Sequence, residues 1–102
     1  MAFFVLGMYV VYILRSEKLN RFYTGSTGDL SQRLEFHRNS ADHKFTHRAS
    51  DWELFLTIDC KDKTQALKIE MHIKSMKSVE YIRNLKRYPE MISKLLERYS
   101  DC

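Results

Sequence analysis

The pattern of hydrophobic and polar positions predicts three short strands. MYVVYIL and WELFLTIDC are rich in β-branched and aromatic residues, which is typical of strands that pack into a core. FYTGS is a shorter strand, joined to the first through the polar turn SEKLNR as a hairpin. In the first strand, alternation places Val10, Tyr12 and Leu14 on one face and Val11 and Ile13 on the other.

Capping residues and helical periodicity predict four helices. Gly25 and Gly28 are expected to bracket a tight turn, and Asp29 then suits the N-cap of a helix that runs to about Arg38. The segment 39–51 shows neither a helical nor a strand period, so we expect an exposed loop there. A second helix is predicted over about 65–77, with Asp62 or Thr64 as its cap. A third helix is predicted after Ser78, and the last has Pro89 in its first turn.

This order of elements predicts an α+β fold, a small, mainly antiparallel three-stranded sheet packed with helices. The chain has 102 residues and no recognisable linker or repeat. We therefore expect one domain over residues 1–102, with a core over about 8–86 and a C-terminal helix over about 89–99.

Charge and cysteine content narrow the class of protein. The net charge of +4 favours an anionic partner, of which nucleic acid is the common case. Two cysteines form no disulfide framework, which favours a reducing compartment. The apolar opening is too short to span a bilayer and lacks the features of a signal peptide, so a cytoplasmic protein without membrane contact is expected.

The first predicted helix carries two polar side chains on one side. Arg33 and His37 lie one turn apart, beside an apolar stripe of Leu30 and Leu34, and Tyr23 reaches the same region from the preceding strand. Taken singly, each polar residue also fits an ordinary role, as a half-buried sheet aromatic, a solvated arginine or a rim histidine.

The second predicted helix places a carboxylate at the edge of its apolar stripe. Glu70 occupies that edge, with Lys74 one turn further on. An acid in such a place either forms an ion pair or has a functional role. Both an ordinary Glu70–Lys74 ion pair and a ligand for a divalent cation fit the spacing. The core stripe of this helix is expected to consist of Ala66, Ile69, Ile73 and Met76.

These stretches together resemble the GIY-YIG nuclease superfamily, especially its small single-domain bacterial members and the N-terminal catalytic domain found in the excision-repair endonuclease. Val10-Val11-Tyr12 stands where the family has GIY, and Tyr23-Thr24-Gly25 stands where it has YIG. YTGSTGDLSQRLEFH is similar to the turn and helix that follow, TQALKIEMHIKSMK to the segment with the metal-binding glutamate, and KSVEYIRNLK to the tail. Val10 and Thr24 depart from the motifs.

The resemblance implies a metal-dependent endonuclease that hydrolyses phosphodiester bonds in DNA, in repair or recombination. It implies Mg²⁺ as the cofactor, or Mn²⁺ in its place, and no small-molecule cofactor. Carried over residue by residue, it implies catalytic roles for Tyr12, Tyr23, Arg33 and His37, metal binding by Glu70, and Asn84 as the candidate for an asparagine that several members carry.

Further cations are expected to contact the nucleic-acid backbone, although a merely solvated surface is as good an interpretation of the loop cations. Contacts of this kind weaken with salt and carry no sequence information, so low sequence specificity is expected. The candidates are Lys44, His47 and Arg48 on the predicted loop and Lys74 and Lys77 on the second helix.

Three alternatives stay open. One is a nucleic-acid-binding module of the same fold that cuts weakly or not at all. Another is RNA as the substrate, because the chemistry at phosphate is shared. The third is a zinc-binding domain using His43 and His47, although Cys60 and Cys102 lie far from them in sequence.

Overall fold

The structure is a computed structural model that describes residues 9–39 and 51–100, except for the side chains of residues 36–39. The strands are β1 (Tyr9–Ser16), β2 (Arg21–Thr27) and β3 (Glu53–Cys60). The helices are α1 (Leu30–Asn39), α2 (Lys63–Met76), α3 (Val79–Arg87) and α4 (Pro89–Arg98). The predicted order and type of the elements are confirmed, whereas most of the predicted loop lies outside the described residues.

The three strands form one antiparallel sheet in the order β2-β1-β3, which confirms the predicted α+β class. β1 is buried on both faces, from Val10 to Leu14, which explains its continuous run of apolar residues. Val11, Tyr12 and Ile13 are each at most 1% exposed. The β1–β2 turn is closed by the Asn20 N–H, which donates to the Glu17 carbonyl oxygen at 3.2 Å.

Strand register divides the sheet into two faces, since residues directly opposite each other point to the same side. Val11 lies opposite Ser26 on one neighbour and Ile58 on the other, and this side is here called the helix face. Tyr12 lies opposite Gly25, and this side is called the tyrosine face. The core on the helix face includes Ala66, Ile69 and Ile73 of α2, Leu85 of α3 and Leu95 of α4.

The predicted helix caps are confirmed by their hydrogen bonds. Asp62 Oδ1 accepts from the Gln65 N–H at 2.9 Å, and Ser78 Oγ accepts from the Tyr81 N–H at 3.0 Å. Pro89 occupies the first turn of α4, where its missing N–H costs no helical hydrogen bond. None of the helices within the described ranges has the length and apolarity needed to cross a membrane.

Three expectations about packing are wrong. Met76 is 44% exposed rather than part of the α2 core stripe, because α2 ends there and Lys77 turns the chain away with a left-handed φ of 48°. Gly25 lies inside β2 rather than at a turn, so the hairpin partner of β1 is longer than predicted. Leu30 and Leu34 are half-buried rather than buried.

Candidate active site

The hydroxyl of Tyr12 reaches the edge of the sheet across Gly25. A Cβ atom added at position 25 would fall 2.6 Å from the Tyr12 hydroxyl oxygen and 2.7 Å from Cζ. Side chains do not approach each other so closely, so the Tyr12 ring needs a residue without a side chain opposite it. Because β2 is an edge strand, this ring carries its hydroxyl from the middle of the sheet towards the border.

Tyr23 lies beside Tyr12 on the tyrosine face. Their ring centroids are 6.3 Å apart and their planes are tilted by 44°. Burial raises the pKa of Tyr12 well above the ordinary tyrosine value, and the neighbouring phenol of Tyr23 raises it further, in part through a hydrogen bond. Tyr12 is 1% exposed and Tyr23 is half-buried. Tyr12 is therefore a phenol that burial keeps neutral near neutral pH, and Tyr23 is the member of the pair that solvent reaches.

The start of α1 places Arg33 next to these phenols. Thr27 Oγ1 accepts from the Asp29 N–H at 3.0 Å, and Asp29 Oδ1 then caps the helix by accepting from the Gln32 N–H at 3.1 Å. Arg33 follows within the first turns, and its side chain is exposed. The positive charge of Arg33 lowers the pKa of Tyr12, whereas burial raises it. The guanidinium therefore lies within electrostatic reach of the tyrosine pair.

Glu70 approaches from α2, on the helix face of the same strand. Ser26 Oγ donates to Glu70 Oε1 at 2.6 Å, and the Lys74 ammonium lies 2.7 Å from Glu70 Oε2. The side chain of Glu70 is 14% exposed, and that of Lys74 is 54% exposed. The negative charge of Glu70 also raises the pKa of Tyr12, so the carboxylate acts electrostatically on the buried phenol from the other side of the sheet. Arg33 and Glu70 thus both lie within electrostatic range of Tyr12.

Two other candidate residues, Lys77 and Asn84, lie in the described part of the chain. Lys77 ends α2 and is exposed. Asn84 is half-buried on α3, where its carbonyl oxygen accepts from the Tyr88 N–H at 2.8 Å, and no contact among the described residues links its side chain to Glu70. The remaining candidates lie outside the described part of the chain: the side chain of His37, and Lys44, His47 and Arg48.

Ser26 is a contact of the site that the sequence analysis missed. It directly follows Gly25 in β2, so alternation points its side chain to the helix face, away from the phenols. That alternation, together with a glutamate at the edge of an apolar helix stripe, is a signal that was present in the sequence. What the pattern lacked was the knowledge that α2 packs against β2, the strand that carries Ser26.

The carboxylate of Glu70 is a donor that suits a magnesium-type site. Among the described side chains of residues 9–35 and 51–100, no cluster of three or more histidine, cysteine, aspartate or glutamate residues could hold a metal ion. Glu70 offers one hard carboxylate, and Mg²⁺ often takes one or two protein carboxylates and completes its shell with waters and substrate phosphates. Cys60 is buried and makes no disulfide. The zinc alternative also needs His43, His47 and Cys102, which lie outside the described residues.

Comparisons with known proteins agree with this geometry. None of the curated proteins compared with the chain matches it. The UPF0213 protein BH0048 from Bacillus halodurans, known from a solution NMR structure, is similar at 26% identity, over 84% of this chain and 93% of that one, with a TM-score of 0.50. The family model of the GIY-YIG catalytic domain matches residues 8–81, a stretch that includes Tyr12, Tyr23, Arg33 and Glu70. The resemblance stated from the sequence is confirmed, and the chain belongs to the GIY-YIG family of nuclease domains.

Proposed function

We propose that this protein is a divalent-metal-dependent endonuclease that hydrolyses phosphodiester bonds in DNA. The observation that carries the proposal is that Tyr23 lies beside Tyr12, that Arg33 and Glu70 both act electrostatically on Tyr12, and that Ser26 of β2 holds the Glu70 carboxylate. Phosphodiester hydrolysis needs a positioned water, stabilisation of charge on the phosphoryl oxygens and help for the leaving oxygen. A phenol, a guanidinium and a metal-binding carboxylate are side chains suited to these three tasks.

Tyr23 is the residue we assign to the attacking water. It is the phenol of the pair that reaches solvent, whereas Tyr12 is buried and neutral. A phenol orients a water by accepting or donating a hydrogen bond. Tyr12 is accordingly a positioning residue, whose hydroxyl holds the Tyr23 ring through the contact between the two phenols.

Arg33 is the residue we assign to the phosphate oxygens. A guanidinium presents parallel N–H donors that match two oxygens of a phosphate at once, and it stays charged at every relevant pH. Charge on these oxygens grows during hydrolysis, so donors already in place stabilise the transition state more than the ground state. The exposure of Arg33 on α1 leaves it accessible to a bulky substrate.

Glu70 is the residue we assign to the metal, with Mg²⁺ as the cofactor and Mn²⁺ as a substitute. The Ser26 hydroxyl holds and orients Oε1 of its carboxylate. The other oxygen, Oε2, lies towards the more exposed Lys74 side chain. Bound at Glu70, a divalent cation would supply charge neutralisation for the phosphoryl and leaving oxygens.

Backbone contacts with DNA are assigned to further polar side chains. Lys74 on α2 and Lys77 at its C-cap are exposed, and His37, Lys44, His47, Arg48 and Asn84 remain in the proposal as phosphate-binding or proton-transferring candidates. Contacts to phosphates do not read sequence, so we propose low sequence specificity, as suits an enzyme of repair or recombination in the cytoplasm.

Cleavage of supercoiled plasmid and of labelled oligonucleotides tests the proposal. The panel consists of duplex, flap, branched and single-stranded DNA and matching RNA, each with Mg²⁺, with Mn²⁺ and with a chelator. Wild type is expected to cut with metal, and Glu70→Gln and Arg33→Ala are expected to lose cutting. Glu97→Gln removes an exposed acid of α4 and is expected to cut like wild type.

The outcomes separate the competing functions. Equal cutting by Glu70→Gln and wild type would place the activity in another site or in a contaminant. Binding of nucleic acid without cutting by wild type would favour the alternative of a binding module that lacks turnover. The presence of Tyr12, Tyr23, Arg33 and Glu70 argues against that alternative. Preferential cutting of the RNA members would replace DNA as the substrate.

A further inference from the structure

We propose that Lys74 is a built-in counter-ion of Glu70, which occupies the cation-binding side of the carboxylate until a divalent metal displaces it. Lys74 thereby sets the metal affinity of the site. The inference rests on the proposed function in one respect, namely that Glu70 is the metal ligand. Neither the family match nor the similar structure assigns such a role to this lysine.

The two oxygens of Glu70 have partners of different kinds. Oε1 accepts a hydrogen bond from the Ser26 hydroxyl at 2.6 Å, and this donor is neutral and fixed on β2. Oε2 lies 2.7 Å from the Lys74 ammonium, which carries a full charge at the end of a flexible side chain. Ser26 therefore orients the carboxylate without neutralising it, and Lys74 provides the neutralising charge.

Burial decides which partner can be exchanged. The Lys74 side chain is 54% exposed and the Glu70 side chain is 14% exposed. An exposed lysine can rotate into water at small cost, because a surface ion pair contributes little to stability. The carboxylate is confined between α2 and β2 and stays where Ser26 holds it. The replaceable member of the group is thus Lys74.

The lysine and a metal ion compete for the same oxygen. Mg²⁺ binds oxygen ligands at about 2.0–2.1 Å, so a metal on Oε2 would lie close to the ammonium that now donates to this oxygen. Two cations so close repel each other. Direct binding of a metal to Oε2 therefore favours the departure of Lys74, and the free energy of breaking this pair lowers the measured affinity.

Metal binding to the protein without nucleic acid tests this directly. The probe is Mn²⁺, followed by the electron paramagnetic resonance signal of the free ion at low ionic strength. Lys74→Met is expected to bind Mn²⁺ about two- to fivefold more tightly than the matched control, as befits the loss of one partly exposed ion pair. Lys68→Met is that control, because it removes an exposed lysine of the same helix that lies outside the Glu70 pair. Lys74→Arg keeps a cation and is expected to bind no more tightly than wild type.

Each result supports or overturns the inference. Binding by Lys74→Met at concentrations where wild type shows none would support it strongly. Equal affinities of Lys74→Met and Lys68→Met would overturn it, and so would absence of binding in both. If Glu70→Gln abolishes binding while Lys74→Met has no effect, this inference fails and the proposed function stands. If Glu70→Gln binds like wild type, Glu70 is not the ligand and both fail.

Discussion

The ring of Tyr12 lies against Gly25 so closely that a Cβ atom at position 25 would fall 2.6 Å from its hydroxyl oxygen. A tyrosine of the central strand and a glycine of the edge strand thus form one structural unit that carries a phenol to the sheet border. By contrast Val10, which stands where the family has a glycine, is buried opposite Thr27. The strand accommodates a side chain at position 10, so this departure from the motif does not disturb the site.

Gly25→Ala is expected to destabilise the protein and to impair cleavage together. The Tyr12 ring is only 1% exposed, and inserting an atom into a packed region costs about 1–3 kcal/mol. Urea unfolding measures the loss. Gly28→Ala is the matched control with a smaller expected loss, because its Cβ would lie 3.2 Å from the Tyr9 ring. Equal stability of Gly25→Ala and wild type would show that the Tyr12 ring is not confined.

Tyr23→Phe is expected to slow cleavage far more than Tyr12→Phe. Loss of a group that transfers or orients a proton typically costs about 10²–10⁴ in rate. Tyr12→Phe removes one hydrogen bond between phenols, which is worth about 1 kcal/mol and predicts a loss of up to about tenfold. Single-turnover rates from pH 6 to 9 measure both.

The pH profile adds a second test of the tyrosine pair. Burial raises the pKa of Tyr12 beyond this range, so Tyr12→Phe is expected to leave the shape of the profile unchanged. A change of shape in Tyr12→Phe, or a harmless Tyr23→Phe, would reverse the assignment of the two roles.

Arg33→Lys is expected to lower the maximal rate by about 10²–10³, as does the loss of a transition-state donor in other enzymes. A lysine retains the charge but cannot present two parallel donors to one phosphate. The measured quantity is the single-turnover rate at saturating enzyme. Arg87→Lys, an exposed position on α3, serves as the control. A rate like that of wild type would mean that charge alone suffices at position 33.

Lys77→Gly is expected to raise the free energy of unfolding by about 1 kcal/mol, because Lys77 holds a left-handed φ of 48° that glycine adopts without strain. The same change removes a cation proposed to bind phosphate, so the salt dependence of DNA binding should fall by about one unit of slope. Lys68→Gly, within α2, should instead lose about 1 kcal/mol. A destabilised Lys77→Gly would contradict the left-handed conformation.

Acidification is expected to weaken the packing of α4 through His72. Its Nδ1 lies 2.9 Å from the Tyr99 hydroxyl, and the Tyr81 ring faces it with centroids 6.0 Å apart. Burial lowers the pKa of His72, and the charge of Arg98 lowers it further. The unfolded chain therefore takes up the proton first, and stability falls as pH drops below about 6.5, by at most about 1.4 kcal/mol per pH unit.

Urea unfolding of wild type and His72→Gln between pH 5 and 8 checks this dependence. The variant is less stable at pH 8 but should lose less on acidification, since glutamine does not titrate. Equal slopes for the two proteins would assign the acid sensitivity to other groups.

The sequence by itself determined the elements of this fold and predicted most of the residues of its candidate site. Strand alternation in β1 and the caps Asp62 and Ser78 were predicted correctly because they depend on contacts within a few residues. Tyr12, Tyr23, Arg33 and Glu70 were identified from motifs whose order and spacing are visible along the chain. Met76 was misplaced because the left-handed turn at Lys77 leaves no periodic signal.

Only the tertiary structure decided how these residues act on one another. The hydrogen bond from Ser26 to Glu70 joins positions separated by 44 residues, and it depends on β2 lying at the sheet edge with α2 packed against it. The difference between the two tyrosines likewise depends on burial, which follows from β1 being the central strand. Sequence periodicity specifies which way a side chain points within its element, whereas the packing of elements specifies what it meets there.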